Sequence, residues 1–169
     1  VLGVERIAGS SIAVTGGPQA VANARRLADA LGCRLFTVPA GRRPLYHAAV
    51  VLASSSLLPL LDLSSRLMVQ AGVSNDDAVR ALLPLVRGIL ASVEEGGVPS
   101  AVAGPIARGD AETIALHLRA MNDEDRRLYA MLGSELLRLG ADPLEPETHE
   151  RLAELFGRYM DRETTVTGS

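Results

Sequence analysis

Hydrophobic and polar positions follow two different periods along this chain, one near its start and another through the rest. Residues 11–15 (Ser-Ile-Ala-Val-Thr) form a short apolar run closed by Gly16-Gly17, which predicts a strand and a turn. Pro18 follows, at a position where the first turn of a helix accepts proline. Beyond it Ala20, Val21, Ala24, Leu27, Ala28 and Leu31 recur at helical spacing, and Gly32 supplies the stop. Residues 34–38 (Arg-Leu-Phe-Thr-Val) predict a second strand, closed by Pro39. Together these make one strand–helix–strand unit. Two strands and a helix do not make a stable parallel sheet alone. The unit therefore reads as the closing piece of a larger α/β domain that begins upstream of Val1, and a chain starting with Val rather than Met suits a fragment, a processed product or the ordered part of something longer.

From about Arg42 the pattern becomes helical. No glycine occurs between Gly41 and Gly72, and a single helix from Pro44 to Ala71 would be about 42 Å long. Its first half, through Ala53, is apolar all round, which predicts a buried central helix. Pro59 should bend it, because proline cannot donate to the carbonyl of Ser55 and the hydroxyls of Ser54-Ser55-Ser56 stand ready for the freed group. A membrane span over 48–61 is a poor fit. The run falls short of the ~20 apolar residues required, holds three serines and a proline, and is bracketed by His47 and Asp62.

Further helices follow. Ser74 or Asn75 caps one that runs to about Glu95, Asp110 one that runs to Ala120, and Asn122 one that ends near Gly140. Residues 146–162 form a last amphipathic helix, and Thr164 to Ser169 a tail. The expected organisation is 1–41 as the closing β-α-β unit, 42–163 as a helical dimerisation and substrate domain, and 164–169 as tail.

Composition narrows the chemistry. Of 169 residues 47% are hydrophobic, yet only three Tyr and two Phe are aromatic. The core must be built from Leu, Val and Ala, which favours helix packing. All 17 basic residues are Arg, so no Schiff-base or phosphate-loop lysine can come from this chain. A net charge of −3 without a basic stripe argues against a nucleic-acid partner. The single Cys33 and the lack of a signal peptide make the cytoplasm the expected compartment. His117 and His149 have no metal-ligand spacing to a second His or Cys, so no metal site is expected. The dinucleotide fingerprint G-x-G-x-x-G is absent.

Two segments carry candidate chemistry. His47, Val51 and Ser55 are spaced i, i+4, i+8 on the predicted long helix, and Tyr46 and His47 stand at its start, beside the α/β unit. One reading makes His47 a general acid/base, with Tyr46, Ser54 and Ser55 facing a substrate. The other makes His47 a structural histidine and the serines tolerated packing residues. In the second segment, Gly104 to Asp110, two glycines permit close backbone approach and Arg108 could hold a carboxylate or phosphate. The alternative there is a tight connection with Asp110 as a helix cap.

The stretch Arg43-Pro44-Leu45-Tyr46-His47-Ala48-Ala49-Val50-Val51-Leu52-Ala53-Ser54 resembles the signature of a bacterial family. Its members join a Rossmann-like NADP-binding module to a helical C-terminal domain of unknown function. Gly104-Pro105-Ile106-Ala107-Arg108-Gly109-Asp110 is similar to that family's second motif. The resemblance covers about Ser11 to Gly140. It implies a mainly α multi-helical bundle of the 6-phosphogluconate dehydrogenase C-terminal type, preceded by a strand–helix–strand remnant of a Rossmann-like α/β domain. It also implies a homodimer, and NADP bound mainly by an upstream half. In the related ketopantoate reductases a lysine and two asparagines occupy the i, i+4, i+8 positions that fall here on His47, Val51 and Ser55. The family usually has Asn where this chain has Ser55. The resemblance thus suggests half of an NAD(P)-dependent oxidoreductase for a small carbonyl or imine substrate, inactive when isolated. The rivals are a non-catalytic dimerisation module and a stand-alone helical binding protein.

Overall fold

The computed structural model describes residues 7–140 and 143–160, and the chain divides into two compact units at Asp62–Leu63. The tail predicted from Thr164 and the last two residues of the helix predicted over 146–162 lie outside the described residues. Among the described residues the protein is mainly helical with one small parallel sheet.

In the first unit, strand β1 (Ser11–Val14) leads through Gly16-Gly17 into helix α1 (Pro18–Leu31), which carries proline in its first turn as predicted. Gly32 ends α1 in the left-handed conformation (φ 66°), and its N–H reaches back to Ala28 and Asp29. Strand β2 (Arg34–Thr37) then pairs parallel to β1, Ser11 opposite Arg34 and Val14 opposite Thr37. The Thr15 hydroxyl donates to the Val38 carbonyl at 2.8 Å and ties the two carboxyl ends together.

After a single 3-10 turn at Ala40–Arg42, the expected long helix proves to be two. Helix α2 spans Arg43–Ala53 and α3 spans Leu57–Gln70, with a break at Ser54–Ser56. Pro59 explains the division better than a bend does. It occupies the third position of α3, where a backbone N–H has no intrahelical acceptor to lose. The carbonyls of Ser54 and Ser55 instead accept tight-turn bonds from Leu57 and Leu58. Taken together, residues 40–70 are long and apolar enough to cross a membrane. The break leaves pieces of about 17 and 21 Å, each short of a ~30 Å hydrocarbon core.

The prediction of a buried central helix also needs correcting. No residue of α2 is buried, and Leu45 (65%) and Leu52 (70%) are largely exposed. An all-round apolar pattern shows that a surface can be covered; it does not say that the same chain covers it.

The second unit continues with α4 (Asn75–Gly96), capped by the Ser74 hydroxyl accepting from the Asp77 N–H. A short helical turn α5 (Gly104–Ala107) and helices α6 (Ala111–Ala120), α7 (Asp123–Leu139) and α8 (Pro146–Met160) follow. Ile106, Ala111, Ile114, Leu118, Ala130, Leu152 and Phe156 form one apolar cluster from α5 to α8. Gly133 lets α7 approach α8: a Cβ there would meet the Phe156 ring at 2.5 Å. Asn122 caps α7, accepting from the Asp125 N–H at 2.9 Å while its amide donates to the Asp125 carboxylate at 2.6 Å.

Candidate functional site

The second sequence motif resolves into structure. Gly104 (φ 79°) and Gly109 (φ 69°) bracket the α5 turn in conformations that L side chains avoid. Between them Ile106 enters the core, 7% exposed. Asp110 then starts α6, accepting from the Thr113 N–H at 3.0 Å and from the Thr113 hydroxyl at 2.7 Å. These bonds, with smaller contributions from the charges of Arg108 and His117, hold the Asp110 carboxyl below its ordinary value of 3.8. A carboxyl whose folded pKa is lowered stabilises the fold above its unfolded pKa, and that contribution is lost as pH falls through the folded value. Urea midpoints should therefore fall on acidification below about pH 4, and Asp110→Asn, which keeps the cap acceptor, should flatten that dependence. Equal acid sensitivity in both proteins would remove Asp110 from the effect.

Arg108 lies in this second unit, exposed, directly after α5, and lines neither of the recesses described next. Tyr46, His47, Ser54 and Ser55 belong to the first unit. Of these, Tyr46 and His47 converge. They line an open recess of about 670 Å³ with Arg43, Pro44 and Val50. Tyr46 and Arg43 also line an adjoining recess of about 370 Å³ with Ala13, Val14, Thr15 and Val38. The second recess sits at the carboxyl ends of β1 and β2, the edge at which open α/β sheets take ligands. Tyr46 is half-buried, its ring edge-on to Phe36 of β2 with centroids 5.8 Å apart. His47 is exposed and hydrogen-bonds to no described residue, so its imidazole is not spent on the fold.

The serines do not join them. The Ser54 hydroxyl donates to the Val50 carbonyl at 2.6 Å, one turn back. Ser55 lies exposed in the helix break, off the helical face of His47 and Val51, which corrects the predicted i, i+4, i+8 stripe. Neither serine lines either recess.

Sequence reasoning missed two features. Arg43 belongs to the first motif, and its i, i+4 spacing to His47 is the one sequence signal that places it beside the histidine. His117 and Tyr129 were not connected at all. The His117 Nδ1 lies 2.9 Å from the Tyr129 hydroxyl, and burial raises the Tyr129 pKa. Twelve residues separate them, on two helices, so no local pattern announces the pair. Among the described residues no three His, Cys, Asp or Glu side chains converge as a metal site.

Residues 10–136 match the family described as Domain of unknown function (DUF2520). The chain belongs to that family. Its fold is similar to the crystal structure of protein TM1727 from Thermotoga maritima, with a TM-score of 0.67 at 22% sequence identity. That similarity covers 83% of this chain and 53% of the other, so the chain spans about half the length of that protein. No curated protein matches.

Proposed function

We propose that this chain is the substrate-facing, dimer-forming half of a cytoplasmic NAD(P)-dependent oxidoreductase acting on a small carbonyl or imine compound. In this reading the helices are of the 6-phosphogluconate dehydrogenase C-terminal type and a Rossmann-like module lies upstream. The observation that carries the reading is the convergence of Arg43, Tyr46 and His47 on recesses at the carboxyl ends of parallel strands. NADP(H) would supply the hydride.

The residues of this chain do not fit the dinucleotide itself. The glycine turn after β1, Gly16-Gly17, runs into Pro18, which has no N–H to offer a phosphate, and the Thr15 hydroxyl is committed to Val38. What the chain contributes is the substrate wall. His47 exchanges the proton at the substrate oxygen or nitrogen, Tyr46 packs against the substrate, and the two recesses fix its position. In the intact gene product, His47→Ala should lower turnover about 10²–10⁴-fold, the usual worth of a positioned acid/base. The helical signal should not change, since His47 is exposed. Unchanged turnover would take His47 out of the mechanism. Titration of NADPH by fluorescence tests the cofactor: the intact product should bind it saturably and this chain should not.

A second reading is favoured by the exposed apolar residues of α2 and α3. Leu45, Val50, Val51, Leu52 and Leu58 offer a surface for a second copy whether or not chemistry occurs. A non-catalytic dimerisation module would sediment as a dimer, bind no NADPH, and be indifferent to His47→Ala.

A further inference from the structure

The larger recess beside His47 is unusual in its charge. Among the described residues, Arg43 and His47 are its only ionisable groups besides the Tyr46 phenol, and no acidic side chain lines it or the adjoining recess. Arg43 is exposed and makes no ion pair with a described residue. It lines both recesses, as Tyr46 does, so these two residues are common to both. The Tyr46 ring packs against Phe36 in a T-shaped contact.

Resting on the oxidoreductase reading, we propose that the substrate is a small carboxylate-bearing carbonyl compound, with its carboxylate held by Arg43 and its carbonyl presented to His47. The guanidinium fork matches a carboxylate through two parallel N–H···O bonds. Arg43 and His47 are one turn apart on α2, so their Cβ atoms lie about 5–6 Å from one another. That spacing suits a short molecule with an anionic end and a reacting carbonyl close to it. The Tyr46 ring and Val50 supply apolar contact for the few carbons between and beyond. Arg108, the anion holder suggested by the sequence, lines neither recess.

The test is calorimetric titration of the intact gene product with a set of short 2-oxo acids, each paired with the methyl ketone lacking the carboxylate. At least one acid should bind saturably and its ketone should not. Arg43→Gln should weaken that binding about 10- to 100-fold, the range expected for losing charge-assisted hydrogen bonds. Arg43→Lys, which keeps the charge and loses the fork, should fall between, and Arg108→Gln should bind as the parent does. Arg43 is exposed, so its variants should keep the parent's helical signal. Equal binding of acid and ketone, unaltered binding by Arg43→Gln, or no binding of any acid overturns the proposal. The NADPH titration separates the two ideas. Acid binding that depends on Arg43 without NADPH binding would leave the anion site and end the oxidoreductase reading. NADPH binding with Arg43-independent acid binding would do the reverse.

Discussion

Truncating Phe156 to alanine should destabilise the second unit by about 3–5 kcal/mol, the range for removing a fully buried aromatic side chain. Phe156 is 0% exposed and lies in the cluster that joins α5, α6, α7 and α8. Its ring lies against Gly133, where a Cβ would come within 2.5 Å of two ring atoms and 3.1 Å of a third. Gly133→Ala is therefore informative in the opposite sense. In an open helix this change would gain about 1 kcal/mol of helix propensity. Here overpacking should reverse the sign, for a net loss of about 1–2 kcal/mol. The double variant Gly133→Ala/Phe156→Ala should lose less than the two single losses combined, since the smaller residue at 156 makes room for the added methyl. Urea denaturation followed by far-ultraviolet circular dichroism reads all three. Simple additivity would mean that α7 and α8 do not meet at this point.

Arg126→Ala should cost about 2–4 kcal/mol, from charge-assisted hydrogen bonds lost at once. Arg126 donates to the carbonyls of Leu118 and Met121 at 2.5 Å each, and to the Asp123 carboxylate at 2.7 Å. Its guanidinium carbon also lies 5.4 Å from the centre of the Tyr159 ring. The two carbonyls belong to the end of α6, where backbone acceptors have no helical partner and a cation is favoured by the helix dipole. One side chain thus closes α6, opens α7 and touches α8. Arg126→Lys should recover less than half of the loss, because an ammonium cannot reach both carbonyls and the carboxylate in one plane. Full recovery by lysine would show that charge, and not the fork, is what this junction needs.

These two junctions differ in how far the sequence announced them. The strand–helix–strand unit, the caps at Ser74, Asp110 and Asn122, and the left-handed Gly32 are signals spread over a few neighbouring residues, and the fold follows them. Gly133 carries no such signal. A glycine inside a helix is a cost without an evident purpose until the helix that approaches it is known. Pro59 was equally ambiguous, since proline marks both a kink in one helix and the first turn of the next. The apolar pattern of α2 was legible, but the question it raised concerns a covering surface that the pattern cannot supply. At the candidate site, Tyr46 and His47 were legible from their place at a helix start. Ser54 and Ser55 share a face with His47 only in an unbroken helix, and neither lines the recess once the helix breaks. Arg43 emerges only when the recess is drawn, because a surface arginine looks the same in sequence whether or not it lines one.

The short reach of the Arg126 contacts has a consequence for the order in which the chain folds. Its bonds span three to eight residues, whereas the strand-end bond from Thr15 to Val38 spans 23. Loop-closure entropy grows with the logarithm of that span, and chains rich in local contacts fold fastest. The α6–α7 corner can therefore form before β1 and β2 pair, and the stretch beginning at Asp110 is where the folding nucleus should lie.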